Sequence, residues 1–185
     1  GVVLCATTGE DHALTPDEKR QVLDTVLDES PPGFGVIMGV TGLDTRSMIE
    51  QARRWCDDPI DGLLATAPVY CRPSPEGCVR HFEALADAGG RPIVIYNIGY
   101  RVGVTLTIDT LVRLSRIPGV VAIKECGGDA DRLHDLLVET PLTVLCGEDA
   151  HVFAAACAGA HGAIAASAHL HPRAWLALLR AVAEQ

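Results

Sequence analysis

The chain alternates between short, almost uniformly apolar runs and longer stretches in which apolar residues recur every three or four positions. Uniformly apolar runs are typical of buried strands in a parallel sheet, and the longer stretches are typical of amphipathic helices. The pattern therefore predicts a series of strand–loop–helix units, each about 20 to 34 residues long. The seven predicted strands begin near Gly1, Gly35, Asp61, Pro92, Gly119, Leu142 and Gly162.

Capping residues mark the boundaries of several predicted helices. Thr15 is positioned as an N-cap, with a proline at the first helical position and a capping-box glutamate after it. Ser74 and the proline after it open another helix, which a pair of glycines at 89–90 ends. Further helices are predicted at about residues 107–116 and 173–183.

Seven consecutive strand–helix units predict an α/β fold, in which helices cover a parallel sheet. A doubly wound open sheet would need short, polar edge strands, and none of the seven runs has that character. A (β/α)8 TIM barrel needs eight strands and about 250 residues. We therefore expect residues 1–185 to be a single barrel domain, incomplete at both ends. Its first strand and C-terminal helices would be missing from this chain, as in a fragment of a longer protein.

Composition narrows the classes of function. The net charge of −9 argues against nucleic acid and anionic membranes as partners, because both require clustered cations. No apolar run approaches the ~20 residues of a membrane helix, and the first residues lack a basic signal-peptide region. We expect a cytoplasmic protein with free thiols, since no C-x-x-C pair occurs among Cys5, Cys56, Cys71, Cys78, Cys126, Cys146 and Cys157.

Lys124 is the first candidate for chemistry. It is one of only two lysines in the chain, and it ends an apolar run that is predicted to be a buried strand. A buried ammonium is rare unless it is paired or shifted toward the neutral amine. A neutral amine in a dry pocket attacks carbonyl carbon and forms a Schiff base. The alternative is a structural ion pair with Glu125 at the end of the strand.

The other candidates, most of them polar, lie at or near the predicted carboxyl ends of the strands, where parallel α/β folds bind their ligands. They include no aspartate or histidine cluster for a metal and no glycine-rich phosphate loop, so we expect neither metal nor cofactor. Structural alternatives remain: a helix-entry turn for the threonines, a rim position for the tyrosine at 70, and a surface salt bridge for the arginine. The candidates are Thr7, Thr8, Tyr70, Tyr96, Arg101, Lys124, Gly147 and Ile164.

Four segments at these strand ends resemble motifs of the dihydrodipicolinate synthase and N-acetylneuraminate lyase family of Schiff-base aldolases. Residues 6–10 resemble the family's G-T-T-G-E, and residues 67–77 resemble its T-P-Y-Y-x-x-P-S-x-E-G. Residues 95–101 resemble Y-N-x-P-x-R-T-G, and residues 123–125 resemble the I-K-E of the Schiff-base strand. The order and spacing of the four motifs agree along the whole chain.

That resemblance implies a pyruvate-dependent lyase that needs no cofactor. Lys124 would condense with the ketone of pyruvate and hold it as a covalent Schiff base. Tyr96 would transfer protons in a relay with the hydroxyls of Thr7 and Tyr70. In the family this second tyrosine enters the site from a neighbouring subunit, so the resemblance also implies a homo-oligomer, either a dimer or a tetramer.

The resemblance also assigns substrate contacts. Thr8 and Ile164 would hold pyruvate, and Gly147 would line the floor of the site. The threonine pair and Arg101 favour the synthase branch, which condenses pyruvate with L-aspartate semialdehyde early in diaminopimelate and lysine synthesis. The alternatives are another class I pyruvate aldolase, acting on a 2-keto-3-deoxy sugar acid or on N-acetylneuraminate, and a non-catalytic barrel that serves as a binding or oligomer module.

Several positions depart from the family pattern. Gly99 replaces the proline before the arginine, Val102 replaces the threonine after it, and Val69 replaces the first tyrosine of the pair. Glycine at position 99 loosens the backbone that aims the arginine. Members inhibited by lysine carry histidines, an asparagine and a glutamate where this chain has Pro16, Lys19, Leu43 and Ser47, so we predict weak or absent lysine feedback.

Overall fold

The structure, a computed structural model, describes residues 1–127 and 129–184. Seven parallel strands form one sheet in which the spatial order is the order of the sequence. Such an order, with helices covering the sheet, is that of a curled barrel wall. The strands are β1 (Val2–Leu4), β2 (Val36–Val40), β3 (Gly62–Ala65), β4 (Ile93–Asn97), β5 (Val120–Glu125), β6 (Thr143–Cys146) and β7 (Gly162–Ala163).

Helices connect the strands, and short 3₁₀ turns lie at Thr7–Gly9, Asp11–Ala13, Asp149–His151 and Ala166–His169. Within the described residues, no helix has both the length and the apolar character needed to span a membrane. The helices are α1 (Pro16–Glu29), α2 (Thr45–Arg54), α3 (Pro75–Gly89), α4 (Gly99–Val102), α5 (Ile108–Leu114), α6 (Ala130–Glu139), α7 (Val152–Cys157) and α8 (Pro172–Ala183).

The predicted caps are confirmed. The Thr15 side chain accepts a hydrogen bond from the Glu18 backbone, and the Glu18 carboxylate accepts one from the Thr15 N–H at 2.8 Å. Ser74 caps α3 by accepting from the Gly77 N–H at 3.2 Å. That helix ends before Gly90, whose φ of 58° is the left-handed conformation that glycine adopts without strain.

Helices α4, α6 and α7 were not predicted individually. Helix α6 has a cap that is visible in the sequence, because the Asp129 side chain accepts from the backbone N–H groups of Asp131 and Arg132. Only Leu136 of this helix is fully buried, so its apolar stripe is narrow. The two other helices contain four and six residues, which is too short for a helical period to be evident.

The core lies on both faces of the sheet. Every residue of β3 and β4 is buried, as expected for the middle strands of a parallel α/β fold. Trp55 is 4% exposed and belongs to this core, whereas Trp175 is half-buried against a smaller cluster around Cys146 and Val152. The α/β class and the parallel barrel arrangement are confirmed. The missing first strand and C-terminal helices remain a prediction.

Candidate active site

The register of the central strands brings Lys124 and Tyr96 together. Tyr96 on β4 lies opposite Lys124 on β5, and residues opposite one another in a parallel pair project from the same face. The Lys124 Nζ lies 4.2 Å from the centroid of the Tyr96 ring. Both residues are buried, with exposures of 9% and 5%. The amine therefore lies against an aromatic face inside the barrel wall.

Burial lowers the pKa of the Lys124 amine, because water no longer solvates its charged form. The negative charges of the Glu148 and Asp149 carboxylates act in the opposite direction, but burial has the larger effect. Burial also raises the pKa of Cys126 to about 12, so that this thiol is uncharged near neutral pH. None of the ion pairs within the described residues involves Lys124.

Glu125 does not pair with Lys124, so the alternative of a structural ion pair between them is wrong. Successive side chains of a strand point to opposite faces, and the Glu125 carboxylate turns away from the amine. It accepts hydrogen bonds from Asn97 Nδ2 at 2.8 Å and from the Gly127 N–H at 2.9 Å, and it pairs with Arg132 at 3.2 Å. This buried network joins β4, β5 and α6 behind the lysine.

Gly147, directly after β6, leaves room for the lysine side chain. A Cβ built at this position would lie 2.9 Å from both Cε and Cγ of Lys124 and would overlap the Cys126 sulfur. The Gly147 N–H donates to the Glu125 carbonyl at 2.8 Å, which holds its backbone close to β5. Ile164 follows β7, which lies on the side of β6 away from β5. Its N–H donates to the Cys146 carbonyl at 2.9 Å.

Tyr96 is the second buried titratable group of the site. Burial raises the pKa of its phenol, and an interaction with the Thr7 side chain partly opposes that effect. Thr7 lies in the 3₁₀ turn after β1, so the carboxyl ends of β1, β4 and β5 converge on this phenol. Thr8, in the same turn, is exposed. Of the predicted catalytic residues, the structure thus brings Lys124, Tyr96 and Thr7 together.

Tyr70 and Arg101 line an open surface cleft of about 680 Å³. Tyr70 is 89% exposed, and its φ of 73° is left-handed, which is uncommon for a bulky residue. Arg101 is exposed on α4, with its guanidinium carbon 5.8 Å from the centroid of the Tyr100 ring. Within one chain these two predicted residues therefore share a surface cleft, whereas Lys124 and Tyr96 are buried.

We did not predict from the sequence a contact between Tyr100 and Glu148 at the opening of the site. The Tyr100 hydroxyl donates to the Glu148 Oε1 at 2.7 Å, which links α4 to the loop after β6. Partial burial and this carboxylate raise the pKa of Tyr100 to about 12. Tyr100 occupies an unspecified position of the arginine motif, so only its aromatic character could have drawn attention to it. Its partner lies 48 residues away.

The arrangement suits amine chemistry. Among residues 1–127 and 129–184, no group of three or more histidine, cysteine, aspartate and glutamate side chains is placed to hold a metal ion. What the site offers is a buried amine of lowered pKa, a buried phenol beside it, and carboxylates at the mouth. A neutral amine beside a proton donor can attack a carbonyl group and release its oxygen as water.

Comparisons with known proteins identify relatives of the chain. The chain is 36% identical over 172 residues to a 4-hydroxy-tetrahydrodipicolinate synthase of Heliobacterium modesticaldum, which covers 92% of the chain and 57% of that relative. It is 32% identical over 182 residues to a synthase of the same name from Parabacteroides distasonis, which covers 97% and 61%. The chain thus spans less than two thirds of the length of these curated relatives.

Solved structures give the same result. A dihydrodipicolinate synthase from Aquifex aeolicus superimposes with a TM-score of 0.93 at 30% identity, over 98% of this chain and 63% of that one. An enzyme of the same name from Acinetobacter baumannii, solved in complex with pyruvate, gives 0.93 at 32% identity over the same shares of the two chains. The model of the dihydrodipicolinate synthetase family matches residues 1–185. The chain therefore belongs to the dihydrodipicolinate synthetase family.

Proposed function

We propose that the protein condenses pyruvate with L-aspartate semialdehyde through a Schiff base on Lys124, which is the 4-hydroxy-tetrahydrodipicolinate synthase reaction. The observation that carries the proposal is the buried Lys124 amine, whose pKa is lowered by burial and which lies 4.2 Å from the Tyr96 ring centroid. The names of the curated relatives and the pyruvate complex of the Acinetobacter baumannii enzyme support the choice of substrates.

In the proposed reaction, the Lys124 nitrogen attacks C2 of pyruvate, and the keto oxygen leaves as water after it accepts protons. The resulting iminium withdraws electrons, so the methyl group loses a proton and becomes the carbon of a nucleophilic enamine. That carbon forms a bond to the aldehyde carbon of the acceptor, whose oxygen takes up a proton. The amine of the acceptor then replaces the Lys124 nitrogen at C2, which closes the ring of the product and frees Lys124. Tyr96 and Thr7, which interact with each other, would carry the protons.

The remaining predicted residues would bind substrate. Gly147 would keep the space beside Lys124 open for pyruvate, as its close approach to the lysine Cγ and Cε supports. Ile164 and Thr8 would hold the carboxylate end of pyruvate from the neighbouring strand ends. Arg101, exposed at the mouth, would bind the carboxylate of the acceptor.

We also propose that Tyr70 acts in the site of a neighbouring subunit, which makes the protein a homo-oligomer, either a dimer or a tetramer. A tyrosine that is 89% exposed at a φ of 73° supports this role, because such strain of about 1–3 kcal/mol persists mainly where function requires it. We place the protein in the cytoplasm, in lysine and diaminopimelate synthesis, with residues 1–185 as one barrel domain.

Turnover in two lysine variants tests the proposal. Pyruvate consumption that depends on aspartate semialdehyde should be abolished in Lys124→Arg, because a guanidinium does not form imines. Lys19→Arg is the matched control, since Lys19 is the only other lysine of the chain and pairs with Asp11 at 3.7 Å. Release of pyruvate from a 2-keto-3-deoxy sugar acid in place of that consumption, or activity that survives in Lys124→Arg, would refute the proposal.

A further inference from the structure

The Lys124 side chain lies between three groups of the barrel interior. The Tyr96 ring on β4 has its centroid 4.2 Å from Nζ, and the Gly147 backbone after β6 approaches Cγ and Cε. The third group is Cys126, whose N–H donates to the Asn97 carbonyl at 3.1 Å and so extends the pairing of β5 with β4. Side chains two positions apart in a strand point to the same face, so Cys126 shares the face of Lys124.

The Cys126 sulfur packs beside the carbon chain of the lysine. A Cβ built at Gly147 would lie 2.9 Å from both Cγ and Cε of Lys124 and would overlap the Cys126 sulfur. The sulfur and the lysine side chain therefore border one space that is no larger than a methyl group. Cys126 is 4% exposed, so its side chain excludes water from this side of Lys124. A buried free cysteine acts in such a place as a small apolar group.

The titratable groups around the Lys124 amine come from each element packed against it. They lie on β4, directly after β5, at the end of β6 and in the loop that follows: Tyr96, Cys126, Cys146, Glu148 and Asp149. Burial raises the pKa of the phenol and of both thiols, that of Cys126 to about 12, so these three groups are uncharged near neutral pH. The two carboxylates accept from other donors, the Tyr100 hydroxyl at 2.7 Å and the N–H groups of Ala166 and Ser167 at 3.0 and 2.8 Å.

We propose that Cys126 is a positioning residue of the Schiff-base site, whose sulfur holds the Lys124 amine against the Tyr96 ring and keeps water away from it. The inference rests on the proposed function, in which this amine attacks pyruvate. A thiol suits the position because it fills the space without charge and is a weak hydrogen-bond partner. A serine hydroxyl there would accept a hydrogen bond from the ammonium, and an alanine would leave space that water can enter. Either change stabilises the charged form of the amine.

The test is a titration of Lys124 itself. Lys124 and Lys19 are the two lysines of the chain, so lysine labelled with ¹³C at Cε gives one NMR signal for each, assigned with Lys124→Arg. In Cys126→Ser and Cys126→Ala, the midpoint of the Lys124 signal should rise by about one pH unit relative to the wild type. The rate of borohydride-trapped adduct formation should then fall about tenfold at a pH below both midpoints, because the neutral fraction of the amine falls by that factor.

The matched control is Cys78→Ser, which removes a fully buried thiol from α3, where it donates to the Pro73 carbonyl. The Lys124 midpoint should not move in this variant. An unchanged or lower midpoint in Cys126→Ser overturns the inference, even where the adduct forms more slowly, because a merely structural role slows the reaction without moving the midpoint. Since the titration needs no pyruvate, the two failures are distinguishable. Absence of an adduct in the wild type refutes the Schiff-base reaction, whereas an adduct with an unmoved midpoint refutes only the role of Cys126.

Discussion

Lys124 combines two properties that a structural lysine lacks: it is 9% exposed, and it belongs to none of the ion pairs among the described residues. A lowered pKa means that the neutral amine persists to lower pH than it does for a solvated lysine. We therefore expect the rate of adduct formation with pyruvate to rise with pH, with a midpoint below the ordinary value of 10.5. The rate at which borohydride-trapped adduct forms, measured as a function of pH, gives this midpoint. A midpoint at or above 10.5 would contradict a lowered pKa of Lys124.

Gly147 gives a second test at the scale of one residue. In Gly147→Ala the new methyl group would meet the lysine Cε and Cγ at 2.9 Å, so the amine must move from its place beside Tyr96. Adduct formation should slow by about tenfold or more, since misplacement of about 1 Å can cost about a hundredfold in rate. Gly35→Ala is the control, because a Cβ there meets nothing closer than 3.6 Å. Equal rates of adduct formation in Gly147→Ala and Gly35→Ala would refute the steric role of Gly147.

Residues at this scale were predictable to different degrees. Lys124 was evident because a lysine that closes an apolar strand is unusual, and Gly147 followed from its place at the end of a strand. The Tyr100–Glu148 contact was not predictable, because it joins residues 48 positions apart through the relative placement of two loops. The turning of Glu125 toward Asn97 and Arg132 likewise depends on the helix packed behind the strand.

At the scale of elements, His81 ties two helices to the sheet. Its Nε2 lies 3.1 Å from the Thr66 carbonyl, which only accepts, so this nitrogen carries the proton. Its Nδ1 therefore accepts from the Thr45 hydroxyl at 2.9 Å, and the ring links α3 to α2 and to the end of β3. The side chain is 2% exposed, and burial lowers its pKa to about 4.

This histidine predicts a pH dependence of stability. Between its folded pKa of about 4 and the ordinary value of 6.5, the unfolded chain binds the proton more readily than the folded one. The stabilisation is complete above pH 6.5 and is lost as the pH falls toward 4, by about 3 kcal/mol in total. Denaturant unfolding at several pH values measures the loss. His81→Gln should lack this component, and an unchanged slope in that variant would contradict the assignment.

Prediction of elements succeeded where local chemistry decides structure. The capping box of α1, the proline start of α3 and the apolar central strands are properties of adjacent residues, and all were confirmed. Strand β7 begins at Gly162, as predicted, but it is short, since only Gly162–Ala163 pair with β6. Pairing ends there because Asp149 draws the N–H groups of Ala166 and Ser167 into a turn, at 3.0 and 2.8 Å.

At the scale of the molecule, the sequential strand order brings seven loops to one rim, and Tyr70 projects from it into solvent. The proposed oligomer predicts that two damaged chains complement each other. A mixture of Tyr70→Phe and Lys124→Arg subunits, allowed to exchange, should recover activity that neither variant has alone, because one site of a hybrid pair has both groups intact. If activity returned without mixing of the two variants, a tyrosine shared between subunits would be refuted. The same holds if no activity returned in mixtures that are shown to contain hybrid oligomers.

The proposed reaction requires one covalent bond, between C2 of pyruvate and the Nζ of Lys124. Reduction with borohydride in the presence of labelled pyruvate, followed by peptide mapping, tests it most directly. We expect one labelled site, on the peptide that contains Lys124, in the wild type and in Lys19→Arg, and no label in Lys124→Arg. Label on Lys19, or no label on the wild type, would contradict the assignment of Lys124 as the Schiff-base residue.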